Sequence, residues 1–208
     1  MTMTSGGKCR QSDLVYGVSG IGKTTQIGEA AEYLFNETGK KTRLASCSGG
    51  GWGVLDHLVD AGIVVPTYIE EREHRFEAVD KLTKGWWPKD SDDPTSSLVS
   101  PEDQEDYDNV ILVAFEGVSE MSDWLLSYLV EIQATQPGIN FYGSGKSKAV
   151  IIDEDGSKYG DSAAGMYGMV QTYMKKFVSQ SRALTDRYIL WTALELRVID
   201  EGGTRAPV

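Results

Sequence analysis

The chain has 208 residues, which is enough for one domain with a sizeable core but too few for two full domains. Its apolar fraction of 40% and charged fraction of 25% are ordinary for a globular protein, and no apolar run is long enough to span a membrane. A net charge of −11 argues against broad, charge-driven coating of nucleic acid, although a local basic track is compatible with it.

The cysteines and histidines give little support to a metal site. Cys9 and Cys47 are too few for a disulfide framework or a zinc knuckle, which favours a reducing, intracellular setting. His57 and His74 each stand alone, without a cysteine or histidine at metal-ligand spacing. The polar N-terminus lacks the hydrophobic stretch of a secretory signal, so we expect a cytoplasmic protein.

Residues 17–24 carry the most specific motif in the chain, a complete G-x-x-x-x-G-K-T loop. The motif follows an apolar strand predicted at residues 14–16 and precedes a helix predicted at residues 25–37. The glycines let successive backbone N–H groups turn toward a polyphosphate, and the helix adds its positive N-terminal end. The motif therefore predicts binding of a nucleoside triphosphate, which we take to be ATP with Mg²⁺.

Two side chains of the loop have predicted chemical roles. Lys23 is expected to reach the β- and γ-phosphates as a catalytic residue, and the Thr24 hydroxyl is expected to bind Mg²⁺. The residues predicted to contact the nucleotide are Gly17, Val18, Ser19, Gly20, Ile21, Gly22, Lys23, Thr24 and Thr25.

Strand-like and helix-like segments alternate after this loop, which predicts an α/β fold with a mostly parallel sheet flanked by helices. The further predicted strands lie at residues 41–46, 63–68, 109–115, 149–152 and 188–193. The further predicted helices lie at residues 54–59, 72–84 and 163–184 and along an apolar stripe from Met121 to Ile132. We expect residues 1–208 to form a single domain.

Two segments are predicted to lie outside the core. Residues 85–106 combine prolines with a cluster of acids, which predicts a long, exposed acidic loop. Residues 201–203 predict the turn of a hairpin whose return strand has barely begun, so we expect the natural chain to continue past Val208.

A phosphate-binding loop needs an acid at the end of another strand to hold Mg²⁺ through water. Two segments compete for this role. One is the strand at residues 109–115 followed by Glu116, and the other is the strand at residues 149–152 followed by Asp153 and Glu154. The residues alone leave both possibilities open.

The order of elements, together with residues 160–197, resembles the RecA-like core of P-loop ATPases. With residues 115–117, 140–147 and 188–195, nearly the whole chain is similar to bacteriophage-encoded RecA-core ATP-binding proteins of the single-strand annealing type. The resemblance implies a Mg²⁺-dependent ATPase in phage DNA recombination or annealing, located in the host cytoplasm. It also implies a homo-oligomer and single-stranded DNA as a partner.

The resemblance selects Glu116 as the catalytic, magnesium-associated acid, so Thr24 and Glu116 are the predicted metal residues. The chain departs from the RecA pattern after the second strand, because residues 47–50 contain no acid. Either hydrolysis is slow or another acid acts as the base, and the candidates are Glu70, Glu71, Asp153 and Glu154. The γ-phosphate would be sensed by Thr192 or Glu195.

Further residues gain expected roles from the same resemblance. Lys146 and Lys148 would contact the DNA backbone. An arginine would reach a neighbouring subunit's site, and the candidates are Arg182, Arg187, Arg197 and Arg205. The missing acid also keeps open a nucleotide-binding assembly protein with little turnover, and a small nucleotide kinase is a third reading.

Overall fold

A computed structural model describes residues 10–47, 52–69, 75–90, 93, 95–135, 159–194, 197–199 and 205–207. Contacts divide the chain into two compact units, one of Met1–Glu120 with Gln180–Val208 and one of Met121–Ser179. No helix among the described residues combines the length and apolar character needed to cross a membrane. The expectation of a single domain stays a prediction.

The elements follow the predicted alternation of strands and helices. The strands are β1 (Gln11–Gly17), β2 (Lys41–Ser46), β3 (Val64–Tyr68), β4 (Trp87–Pro88), β5 (Leu98–Val99), β6 (Val110–Glu116), β7 (Tyr188–Leu194), β8 (Arg197–Ile199) and β9 (Arg205–Pro207). The α-helices are α1 (Lys23–Thr38), α2 (Asp56–Asp60), α3 (Arg75–Leu82), α4 (Val118–Thr135) and α5 (Tyr159–Ser181). Short 3₁₀ turns cover Trp52–Val54, Pro101–Asp103 and Tyr107–Asn109.

The first unit contains a parallel sheet of five strands in the order β1-β7-β6-β2-β3. The α/β class and the mostly parallel sheet flanked by helices are thus confirmed. Gly17 pairs in register with Leu194, and Ser46 pairs with Glu116, so these strands end at one edge of the sheet. The strand predicted at residues 149–152 lies outside the described residues.

The core of this unit lies between the sheet and α1. Every residue of β6 is buried, as expected for a continuous apolar run in a central strand. Ile27 and Ala31 of α1 are fully buried in one cluster with Leu44 of β2. A Cβ atom at Gly28 would lie 2.7 Å from Leu55 Cδ2, so any other residue here would require the buried Leu55 side chain to shift.

The described part of the second unit consists of most of α4 and α5. Met121 and Leu125 of the predicted apolar stripe are buried, and so are Val170 and Phe177 of α5. Tyr128 was expected on the same stripe but is 46% exposed. The stripe therefore marks the helix correctly but overstates the width of its buried face.

The prediction that residues 85–106 form an exposed loop is wrong where the segment packs. Trp87 is 2% exposed, and β4 pairs with β5 as an antiparallel ribbon. Gln104 ties the ribbon together, because its Nε2 donates to the carbonyl oxygens of Gly85 and Val99, both at 2.9 Å. The acids and prolines suggested solvent, but the apolar residues at the start of the segment enter the core.

The buried guanidinium of Arg43, on a strand of the sheet, holds the end of segment 85–106 in place. Arg43 of β2 is 4% exposed and donates to the side chains of Gln104 and Asp106. Its guanidinium also lies 5.3 Å from the centre of the Trp87 ring. Burial lowers the pKa of Arg43 to about 10, and the Asp106 carboxylate opposes that shift, so the side chain stays charged at neutral pH.

Replacing Arg43 with methionine is expected to destabilise the fold by about 2–4 kcal/mol, because the side chains of Gln104 and Asp106 lose a buried donor. Urea unfolding would measure the loss. Lys81→Met is the matched control, since Lys81 is only partly buried, pairs with the exposed Glu77 and lies 5.5 Å from the centre of the Trp86 ring, and its loss should cost below about 1 kcal/mol. Equal losses in the two variants would contradict a structural role for Arg43.

Candidate nucleotide site

The loop between β1 and α1 has the backbone that its glycines predict. Gly20 and Gly22 have φ angles of 79° and 91°, in the left-handed region that favours glycine. A Cβ atom at Gly17 would lie 3.0 Å from Ile21 Cγ2, so this first glycine leaves room for the return of the loop. These three glycines of the loop therefore fix the path of the chain around the end of β1.

Helix α1 begins at Lys23, and no side chain caps its N-terminus. Gly22 occupies the cap position and offers no side chain, and the first turn contains no acid. The first N–H groups of a helix have no partner within it, and the helix dipole adds positive charge at the same place. An anionic group of a ligand suits this helix end.

Lys23 is folded back onto its own loop. Its ammonium nitrogen donates to the carbonyl oxygens of Gly17 at 2.9 Å and Val18 at 3.0 Å. These two carbonyls hold the cation beside the helix start. A phosphate that enters the loop would add a charged acceptor for the same ammonium.

Glu116 ends β6 and meets the start of α1. One of its carboxylate oxygens accepts a hydrogen bond from the Thr24 hydroxyl, and the other accepts one from Ser46 Oγ at 3.2 Å. The residue is only 6% exposed, and burial raises the pKa of its carboxyl group. The hydrogen bonds from Thr24 and Ser46 and the charge of Lys23 oppose that rise.

The side-chain oxygens of Thr24 and Glu116 are suitable ligands for a magnesium ion. Thr24 and Glu116 offer oxygen atoms, the ligands that Mg²⁺ prefers, at the place where a buried carboxylate would gain from a cation. No group of three or more histidine, cysteine, aspartate or glutamate residues in the described ranges could hold a metal ion. Mg²⁺ usually keeps several waters and takes one or two carboxylates together with substrate phosphates.

A cavity of about 340 Å³ opens beside these groups. Its lining residues are Ser19, Gly20, Gly22, Lys23, Thr24, Thr25, Val54, Glu116, Gly117, Glu120, Thr192, Ala193 and Leu194. The predicted loop residues Gly17, Val18 and Ile21 are not among them, and the Ile21 side chain is 59% exposed. Its volume lies within the range of pockets that hold small ligands and cofactors.

Two hydrogen bonds connect the end of β7 with the start of α4 beside the cavity. The Gly117 N–H donates to Thr192 Oγ1 at 3.2 Å, and the Leu194 N–H donates to Ser119 Oγ at 2.8 Å. Thr192, one of the two residues expected to sense the γ-phosphate, is therefore fixed at the cavity wall, where it is 1% exposed.

Several other predicted residues lie outside the described part of the chain. They are Glu70, Glu71, Lys146, Lys148, Asp153, Glu154 and Glu195. Of the candidate arginines, Arg182 is exposed, and nothing is described of the side chains of Arg197 and Arg205. Arg187 is 6% exposed and donates to the Tyr107 carbonyl oxygen at 2.6 Å. Its guanidinium carbon also lies 4.0 Å from the centre of the Tyr107 ring. Since its own chain buries it, Arg187 cannot serve a neighbouring subunit.

Two residues of the site, Ser46 and Glu120, were not predicted from the sequence. Ser46 ends β2 and bonds to Glu116, a contact between residues that lie 70 positions apart. Glu120 lies in the first turn of α4 and lines the cavity. The only sequence signal for Glu120 is its position four residues after Glu116, just beyond the end of β6. A scan against protein-family models and a search of curated proteins gave no match for the chain.

Proposed function

We propose that the chain is a P-loop NTPase that binds ATP with Mg²⁺ and hydrolyses it. One observation carries the proposal: Lys23 and Thr24, at the start of α1, and Glu116, at the end of β6, line the same cavity at the carboxyl edge of a parallel sheet. In open α/β sheets, ligands bind outside this edge.

Each of these side chains has a task toward a triphosphate. The loop N–H groups and Lys23 bind the phosphate oxygens and neutralise part of their charge. Thr24 and Glu116 would hold the magnesium ion, directly and through water. A magnesium ion held by these residues would supply positive charge to offset the charge of the phosphate groups.

A RecA-like core is the form of P-loop fold that we propose. It is supported by the strand order, in which β7 lies between the loop strand β1 and the acid strand β6, and by the resemblance of residues 160–197 to the RecA stretch. On this basis the protein acts in DNA recombination or annealing of the phage type, as a cytoplasmic homo-oligomer on single-stranded DNA.

A second function is favoured by one feature of the sequence. The chain carries no acid at residues 47–50, directly after β2, where a RecA-like catalytic glutamate is expected. A nucleotide-binding assembly protein, in which ATP stabilises a subunit interface and turnover is incidental, would need no such residue.

ATPase assays with and without single-stranded DNA test these proposals. We expect Mg²⁺-dependent phosphate release that single-stranded DNA stimulates. Tight ATP binding with negligible turnover, with or without DNA, would favour the assembly protein instead. No measurable binding of ATP would refute both.

A further inference from the structure

We propose that Glu120 is the catalytic base of this site, which orients the attacking water and accepts its proton. The inference rests on the proposed ATPase function and supplies the acid that is missing after β2. It is carried by the position of Glu120 in the cavity and by the hydrogen bonding of its carboxylate.

Glu120 reaches the site from a different element than the loop. It lies in the first turn of α4, and its half-buried side chain lines the cavity together with Lys23 and Thr24. Its charge contributes to the raised pKa of Glu116, which places the two carboxylates within electrostatic reach of each other. A ligand that enters the cavity therefore meets two acids, Glu116 and Glu120, in its lining.

The two carboxylates differ in their hydrogen bonds. Both oxygens of Glu116 are engaged, one with Thr24 and the other with Ser46. Glu120 Oε2 is buried and has no hydrogen-bond partner in the described part of the chain. A buried acceptor without a donor is unfavourable, so a water held in the cavity would satisfy it. Glu116 thus belongs to the metal side of the site, and Glu120 is free to serve a water.

The proposed step is the hydrolysis of the terminal phosphate. The water oxygen forms a bond to the γ-phosphorus while the bond from that phosphorus to the β–γ bridging oxygen breaks. The bridging oxygen leaves with the electron pair as part of ADP. The proton of the water passes to the Glu120 carboxylate and then to solvent, so that atoms and charge balance.

If Glu120 had only a structural role, its replacement would change stability and not turnover. An acid in the first turn of a helix stabilises that helix through the dipole, whether or not a nucleotide is bound. Removing its charge would then lower thermal stability and leave turnover per folded molecule unchanged. Activity, ligand affinity and melting temperature must therefore be measured on the same variants.

The test compares Glu120→Gln with Glu29→Gln, a control on an exposed position of α1. We expect Glu120→Gln to lower the turnover number by roughly 100-fold or more while the Kd for ATP stays within about threefold. Affinity for ADP with aluminium fluoride, which mimics the transition state together with its attacking water, should fall at least about tenfold. Glu29→Gln should match the wild type in all three.

The outcomes separate this inference from the proposed function. If the wild type binds and hydrolyses ATP and Glu120→Gln does so equally fast, Glu120 is not the base although the ATPase proposal stands. If the wild type binds ATP without hydrolysing it, the inference is also overturned. Loss of ATP binding by Glu120→Gln with an unchanged melting temperature would instead assign the residue to nucleotide binding.

Discussion

Replacing Lys23 with alanine is expected to weaken ATP binding by roughly 100-fold or more, which corresponds to about 3 kcal/mol. Lys23 is the cation that lines the cavity beside the uncapped start of α1, and charge-assisted hydrogen bonds to phosphate are stronger than neutral ones. The fold should survive, because the hydrogen bonds that the lysine side chain makes in the described structure go only to the carbonyl oxygens of Gly17 and Val18, within its own loop. Isothermal titration calorimetry would measure the affinity.

Lys89→Ala is a matched control for this experiment. Lys89 is exposed, does not line the cavity and carries the same charge, so its loss changes the net charge equally. Circular dichroism and urea unfolding of both variants would exclude misfolding. If ATP bound Lys23→Ala as tightly as Lys89→Ala, the assignment of the nucleotide site would be wrong.

Replacing Glu116 with glutamine is expected to remove most Mg²⁺-dependent turnover, by roughly 100-fold, and to leave ATP binding without Mg²⁺ nearly unchanged. Glutamine has the same shape but lacks the charge that balances the cation. Its amide can still accept from the Thr24 hydroxyl, and its NH₂ group can donate to Ser46 Oγ. ATP titrations at increasing Mg²⁺ concentration would separate the cation-dependent part of binding from the rest.

Asp153→Asn provides the comparison, because Asp153 was the competing acid in the sequence. If Asp153→Asn abolishes Mg²⁺-dependent turnover and Glu116→Gln does not, the acid has been assigned to the wrong strand. Equal effects of both would mean that the cation depends on two strands.

The stability of the ligand-free protein gives an internal check on Glu116→Gln. Burial raises the pKa of Glu116 in the folded state above its usual value, so the folded protein holds this proton more tightly than the unfolded chain. The resulting contribution to stability is fully present below the unfolded pKa and is lost as the pH rises through the folded pKa. Glutamine cannot lose that contribution, so the variant should gain on the wild type as the pH rises from acid to neutral.

The sequence predicted the sheet well because most of its strands are buried runs. β6 is apolar from Val110 to Phe115, and the predicted limits of β2 are the observed ones. β1 is different, since Leu14 is 56% and Tyr16 is 68% exposed. Its apolar residues predicted a strand, and β1 is part of the sheet through its pairing with β7 although these side chains are exposed.

Contacts between distant segments account for the main errors. The composition of residues 85–106 indicated solvent, and nothing local revealed that Arg43, about 60 positions earlier, would hold Asp106. The loop residues around Lys23 could be predicted because the motif itself fixes their geometry. Glu116 could be chosen only through a resemblance, since its bond to Thr24 spans 92 positions. The position of Glu120 in the cavity depends on how α4 follows β6, which the sequence does not specify.

The uncapped start of α1 has a consequence for protein engineering. Relative to a serine, threonine, aspartate or asparagine, a glycine N-cap costs a helix roughly a few tenths of a kcal/mol, so the ligand-free protein carries a small local weakness where we expect the phosphates to bind. A selection for thermostability alone would reward side chains or bound ions that occupy this helix end. Variants chosen in that way would gain melting temperature at the expense of ATP affinity. Selection in the presence of saturating ATP would remove this conflict.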